Sequence, residues 1–236
     1  MVDQDRLQQW RQVVAQEAQA GNGSDTETVD RQEIPGFAEQ DAPWRFETLV
    51  ANLSQTADRV LDLGEELPEA ADGTYDLVVC RFGAFDAHDV AGLLQPDGTF
   101  LTEQAGSDDL AEVLDDLGGA SSEPSVPRAS LMDMENSLVR AGLTIERADA
   151  FRGKYTFDDP GALLRYTARM PWLPSVQPDA PGLDATLTEL ASHFEEGPLE
   201  ATASRFVLLA RAPGIPDSGR LDLSSLPDDD LEVPRV

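Results

Sequence analysis

Cysteine and long apolar runs are almost absent from this sequence. Cys80 is the one cysteine, which excludes an internal disulfide and any zinc site built from several cysteines. We expect it to be a small buried hydrophobe, because it ends an apolar stretch. No apolar run approaches the roughly 20 residues of a membrane helix, and the first ten residues lack a signal-peptide pattern. We therefore expect a cytoplasmic protein without membrane spans.

Basic residues are also scarce. The chain has 17 of them against 45 acidic residues, for a net charge of −28, and Lys154 is the single lysine. The acidic residues are spread along the chain rather than gathered in a block, which is typical of an acidic, halophilic protein whose self-repulsion is screened by salt. Such a charge disfavours non-specific binding to nucleic acid.

Recognisable catalytic and metal-binding motifs are missing as well. The two histidines, His88 and His193, lie far apart without carboxylates at ligand spacing, so the sequence predicts no metal site. No G-x-S-x-G, P-loop or intact G-x-G-x-x-G pattern occurs. The catalytic residues, if there are any, stay unknown at this point.

The most informative feature that is present is a pair of short apolar runs. RVLDLG spans 59–64 and YDLVVC spans 75–80, and each is bounded by turn residues, which is typical of buried strands in a parallel sheet. Ten residues separate them, whereas a crossover between parallel neighbours usually takes a dozen or more. The connection is therefore unusually short.

The remaining patterns predict four segments. These are an amphipathic helix at 1–20, a polar linker at 21–43, an α/β domain at 44–212 and an acidic, disordered tail at 213–236. Within the domain, apolar spacing and turn residues predict further helices near 44–53, 87–94, 108–117, 128–141, 159–170 and 183–194, and strands near 99–104, 143–148 and 201–210.

Several of these segments resemble class I S-adenosylmethionine-dependent methyltransferases. VLDLG resembles their first motif, GTYDLVVCR their fourth strand, and Leu93-Leu94-x-Pro-x-Gly the approach to their fifth strand. The resemblance covers roughly 44–212 and implies a Rossmann-like α/β fold with a truncated, mostly parallel sheet. It also implies S-adenosylmethionine as the cofactor if the protein is active, with Asp62 and Gly64 as the positions that match the cofactor motif.

The sequence departs from that family after its first motif. Gly64 is followed by Glu65, Glu66, Leu67 and Pro68 instead of a Gly-rich loop, and the second and third strands have no room. In the family, an acidic residue at the end of the second strand holds the ribose of the cofactor. The deletion also predicts that the first strand lies at the sheet edge, where a protein partner or a second copy could pair with it.

Candidate ligand residues come from two later regions that resemble the family. RFGAFD at 81–86 and TEQAG at 102–106 resemble fourth- and fifth-strand ends, where open α/β sheets bind ligands. FRGKYTFDDPGALLRYTARMPW at 151–172 resembles a cover over the substrate pocket, and its Arg165 and Arg169 could clamp an anion at i, i+4 spacing. The candidates are Arg81, Glu103, Gln104, Tyr155, Arg165, Arg169 and Trp172. Alternatively, the arginines pair with the surplus acids and the aromatics fill the core.

Three functions follow as hypotheses. The first is a methyltransferase-like pseudo-enzyme that binds a small molecule or a partner. The second is an active methyltransferase that acts on a small molecule through Asp62 and Gly64. The third is a structural subunit that holds a partner through the sheet edge and the first helix. Fold resemblance alone does not decide among them.

Overall fold

The computed structural model describes residues 3–20, 34–64, 73–117 and 120–214. The loop at 65–68, most of the predicted linker and nearly all of the predicted tail therefore lie outside the described residues. No helix in the described ranges has the length and apolar content needed to cross a membrane.

Eight strands and seven helices make up the described chain. The strands are β1 (Phe37–Glu39), β2 (Val60–Asp62), β3 (Tyr75–Arg81), β4 (Leu94–Ala105), β5 (Ser121–Ser122), β6 (Thr144–Phe157), β7 (Ser175–Val176) and β8 (Leu199–Arg211). The helices are α1 (Gln4–Ala20), α2 (Phe46–Ser54), α3 (Ala87–Leu93), α4 (Leu114–Leu117), α5 (Leu131–Arg140), α6 (Pro160–Arg169) and α7 (Leu183–Ser192).

Six of the strands form one sheet in the order β1-β6-β8-β4-β3-β2. The pairs β2–β3 and β3–β4 are parallel, and the three remaining pairs are antiparallel. Four strands, β2, β3, β4 and β6, consequently run in one direction, and β8 and β1 run against them. The predicted α/β fold is confirmed, and β2 pairs directly with β3 at the sheet edge, as the deletion requires.

Side chains of β3 alternate between two apolar layers, because successive strand residues point to opposite faces. Val78 and Cys80 pack with α3 and α5 on one face. Leu77 and Val79 pack with α2 on the other. Both faces of the central strands are therefore covered by helices, which explains the continuous apolar run in the sequence.

A third apolar cluster joins α1 to the domain. Val13 and Val14 of α1 are buried in the same cluster as α6 and α7. The guanidinium of Arg169 also holds the Glu17 carboxylate, with its Nε 2.9 Å from Oε2 and a second nitrogen 3.0 Å from Oε1. Helix α1 therefore packs on the domain rather than hanging from a free linker.

Two features of the sheet differ from the predicted elements. Phe37–Glu39, inside the predicted linker, forms β1 and pairs antiparallel with residues 155–157 of β6. Strand β6 itself continues to Phe157, well beyond the predicted end at 148. Its long register with β8, from Thr144↔Arg211 to Phe157↔Leu199, supplies backbone partners that local sequence patterns do not reveal.

The predicted helix at 108–117 is wrong over most of its length, since only Leu114–Leu117 is helical. Leu110 has a φ of +54°, in the left-handed region that continues no right-handed helix. Its backbone N–H donates to the Thr202 carbonyl at 3.0 Å. A tertiary bond to β8 thus replaces the helical one.

The predicted burial of Cys80 is confirmed. It allows a pH-dependent test of how accessible the thiol is. Its side chain is 1% exposed, and burial raises the pKa of the thiol to about 11. At pH 8 the reactive thiolate is therefore more than about 100-fold scarcer than in an unfolded chain. We expect iodoacetamide to label folded protein at least that much more slowly than protein in denaturant, as measured by mass spectrometry. Equal rates would show an accessible thiol.

Candidate functional site

Polar side chains converge where β3 and β4 end. Arg81 and Glu103 are register partners, and Arg81 Nε donates to Glu103 Oε2 at 2.8 Å. Trp44 Nε1, just before α2, donates to Glu103 Oε1 at 2.9 Å. Because Glu103 is 2% exposed, both of its oxygens are satisfied inside the protein, and Arg81 makes a further ion pair with Glu47.

Gln104 serves the turn that follows β3. Its buried Nε2 lies 2.9 Å from Thr102 Oγ1 and 3.1 Å from the Gly83 carbonyl oxygen. The amide thereby fixes the backbone immediately after Arg81. Gln104 acts as an internal brace at the strand end where a ligand contact was predicted.

The ring of Phe82, the residue after β3, lies against a tryptophan and two arginines. Its ring stacks on Trp172 with centroids 4.6 Å apart, and the guanidinium carbons of Arg81 and Arg205 lie 5.4 and 5.7 Å from its centroid. Its φ of +53° is unusual for a bulky residue and costs conformational energy. The stack and the two cations over the ring hold it there.

The centre of the site is Asp109, which the sequence patterns did not single out. Its carboxylate is fully buried and accepts three hydrogen bonds. The donors are Trp172 Nε1 at 2.8 Å, the Tyr155 hydroxyl at 3.1 Å and the Ser204 backbone N–H at 2.9 Å. Burial raises the pKa of Asp109, and these donors oppose that rise.

Arg205 supplies the positive charge beside this carboxylate. It is 6% exposed, pairs with Glu39 of β1 and lies 3.4 Å from the Tyr155 hydroxyl oxygen. Burial lowers the pKa of Arg205, but Tyr155 and Glu39 raise it above its ordinary value, so the guanidinium stays charged. Its buried Nε has no hydrogen-bond partner among the described residues.

The structure does not bring Arg165 and Arg169 together as an anion clamp. Arg169 is engaged by Glu17 of α1, as described above. Arg165 instead lines a groove beside α1. Tyr155 and Trp172 are buried around Asp109, so the alternative interpretation, in which aromatics fill the core, describes both of them.

The two positions that match the cofactor motif lie at the end of β2. Asp62 is exposed, and its Oδ1 accepts the Gly64 backbone N–H at 2.8 Å, which closes a local turn. Strand β3 pairs with β2 on one side, and no strand of the described ranges pairs with it on the other side, where the resemblance implies a ribose-binding acid. Of the cofactor positions that the resemblance implies, the described residues therefore contain Asp62 and Gly64. The described residues do not gather three potential metal ligands anywhere.

Comparison with known proteins finds several solved structures that are similar to this chain at low sequence identity. A proposed methyltransferase from Bacillus halodurans is 17% identical, with a TM-score of 0.41 over 63% of this chain and 68% of that one. YcgJ from Bacillus subtilis is 15% identical, with a TM-score of 0.40 over 64% and 68%. A complex of the Haloferax volcanii Trm112 methyltransferase activator with a proposed methyltransferase matches at 18% identity, with a TM-score of 0.33 over 64% and 58%.

No family model and no curated protein matches the chain. Matches to solved structures cover between 53% and 68% of the matched chains. Identities and TM-scores this low carry no conclusion about activity, which must come from the residues themselves.

Asp109 can be tested against its neighbour Asp108, which is partly exposed and pairs with Arg152 at the surface. Asp109→Ala strands three buried donors, so we expect it to lower the free energy of unfolding by about 3 kcal/mol or more. Asp108→Ala removes the same charge from the surface and should cost less than about 1 kcal/mol. Denaturant unfolding in molar potassium chloride measures both. Similar losses would show that Asp109 is not a buried hub.

Proposed function

We propose that this chain is a methyltransferase-like binding protein that does not transfer methyl groups. The observation that carries the proposal is the bonding of Glu103, whose two carboxylate oxygens are taken by Arg81 and Trp44. Ligands of open α/β sheets bind at such strand ends. Here both oxygens of Glu103 are already bonded within the protein, and the Phe82 ring lies against Arg81.

The cofactor end of the site supports the same proposal. Asp62 closes its own turn, and no strand of the described ranges pairs with the outer side of β2, where the family's second strand would lie. The alternative is an active methyltransferase on a small molecule. It is favoured by one observation, that the Asp62 carboxylate is exposed at its strand end and open to a ligand.

Titration calorimetry with S-adenosylmethionine and S-adenosylhomocysteine separates these functions. In molar potassium chloride, with folding confirmed by circular dichroism, we expect no saturable heat from either compound. Micromolar binding that is lost in Asp62→Ala and kept in Asp76→Ala would establish a rebuilt cofactor site and overturn the proposal. Asp76 is a suitable control because it lies near the start of β3, at the opposite end from Asp62, where its carboxylate accepts hydrogen bonds from the Arg59 backbone N–H and from Gln95.

We further propose that the partner is a second copy of this chain, paired along β2. No strand in the described ranges occupies the outer side of β2, and Val60 there is 42% exposed. Unpaired backbone groups at a sheet edge are a template for strand addition. Helix α1, the other surface predicted to hold a partner, is already packed on α6 and α7.

A charge placed on this edge tests the pairing. We expect the wild-type chain to sediment as a dimer at micromolar concentrations, and Val60→Lys to sediment as a monomer, because a lysine on an edge strand opposes pairing. Met132→Lys is the matched control, since Met132 is 66% exposed on α5, away from β2. A wild-type monomer, or a Val60→Lys dimer as stable as wild type, would contradict the pairing.

A further inference from the structure

A groove of about 450 Å³ lies between helices, away from the ends of β3 and β4. One wall is the first half of α1, with Arg6 and Trp10. The opposite wall is the start of α6, with Pro160 and Arg165, and Phe194 closes the groove just after α7. Its volume falls within the range of small-molecule sites, roughly 300–1,000 Å³.

Arg165 stands out among the cations of this region. Between residues 147 and 211, all of which the structure describes, every other lysine or arginine makes an ion pair: Arg147, Arg152, Lys154, Arg169, Arg205 and Arg211. Arg165 makes none with the described residues, although the chain has 45 acidic residues to offer. Its side chain lines the groove together with Asp158 and Asp159, and it forms an ion pair with neither of them.

A second cation and two aromatic rings share the groove. Arg6 also makes no ion pair within the described ranges, and it lies on the wall opposite Arg165. Trp10 and Phe194 are half-buried and line the same space. Arginine donors hold carboxylates well, and aromatic faces hold flat apolar groups. The groove therefore offers both kinds of contact to one ligand.

Gly161 lines the groove beside Arg165 and Asp159. A β-carbon at this position would lie 3.3 Å from a terminal nitrogen of Arg165 and 2.8 Å from Asp159 Oδ1. That oxygen already caps α6 by accepting the Ala162 N–H at 3.0 Å. A larger residue at 161 would therefore displace the capping Asp159 carboxylate and shift the Arg165 guanidinium by a few tenths of an ångström, whereas glycine leaves both in place.

The charges around the groove limit the ligand to a weak anion. Asp158 and Asp159 also line it, so its two arginines are balanced by two carboxylates. A phosphate dianion would add two negative charges to a chain whose net charge is already −28. A monocarboxylate adds one and still fills the two unpaired arginines.

We propose that this groove binds a small aromatic monocarboxylate, with its carboxylate on Arg165 and Arg6 and its ring on Trp10 and Phe194. The site rests on the packing of α1 and α6 and not on the strand ends, so it is separate from the proposed loss of methyl transfer. Helix α1 then has a role in binding, because it supplies half of the contacts.

Phenylacetate is the probe that matches this chemistry. In molar potassium chloride we expect saturable binding of phenylacetate to the wild-type chain by saturation-transfer NMR. Arg165→Gln and Arg6→Gln should each weaken it about tenfold or more, because each removes a charge-assisted contact. Arg140→Gln is the matched control, since Arg140 is exposed on α5 and makes no ion pair with the described residues. It should leave binding unchanged.

Two further probes identify which chemical feature of the ligand the groove recognises. Phenethylamine, which has the ring with the opposite charge, and inorganic phosphate should both bind more weakly than phenylacetate. The proposal is overturned if folded wild-type protein does not bind phenylacetate, if Arg165→Gln binds it equally well, or if phosphate binds more tightly. Asp62→Ala should bind phenylacetate normally, so this result is independent of the calorimetry with S-adenosylmethionine.

Discussion

The buried carboxylate of Asp109 is the constraint on which the packing of β6, β8 and the connector after α6 depends. It accepts hydrogen bonds from the connector after α6, from β6 and from the backbone of β8, which are 63, 46 and 95 residues away in sequence. A buried carboxylate is tolerated only where donors surround it. The positions of Trp172, Tyr155 and Ser204 are therefore coupled. Tyr155 and Trp172 belong to the apolar cluster that also contains residues of α1 and α6, so the packing of these helices depends on Asp109 as well.

Glu103, in β4, is a second buried carboxylate whose oxygens are bonded within the protein. The two carboxylates together determine which ligands the strand ends can bind. Glu103 binds Arg81 and Trp44, Asp109 binds Trp172, and Phe82 stacks between the two groups. An anion pocket or a cofactor pocket needs polar groups that are left free or solvated until the ligand arrives. Here the carboxylates of Glu103 and Asp109 are both bonded internally, so opening the region would break several hydrogen bonds at once.

Local signals in the sequence predicted the elements they encode. The apolar runs at β2 and β3 and the Asp159-Pro160 start of α6 follow from residues adjacent in the chain. The edge position of β2 followed instead from the resemblance to the methyltransferase family and the strands that this chain has no room for. The site itself follows from distant pairs, which single-sequence patterns do not contain. Asp109 sits in an acidic stretch where it resembles a solvated helix residue, and Arg205 lies in the apolar run of β8. Nothing local distinguishes either one from its neighbours, because their burial is set by tertiary contacts.

Because internal contacts fill the region at the strand ends, the surface that is open to a ligand lies among the helices. No strand in the described part of the chain pairs with the outer side of β2, while internal bonds join the side chains at the ends of β3 and β4. The layer of α1, α6 and α7 contains the groove in which Arg6 and Arg165 lie without ion pairs among the described residues. Asp158 and Asp159 also line this groove without forming an ion pair with either arginine. Both guanidinium groups therefore stay available to a ligand that carries its own carboxylate.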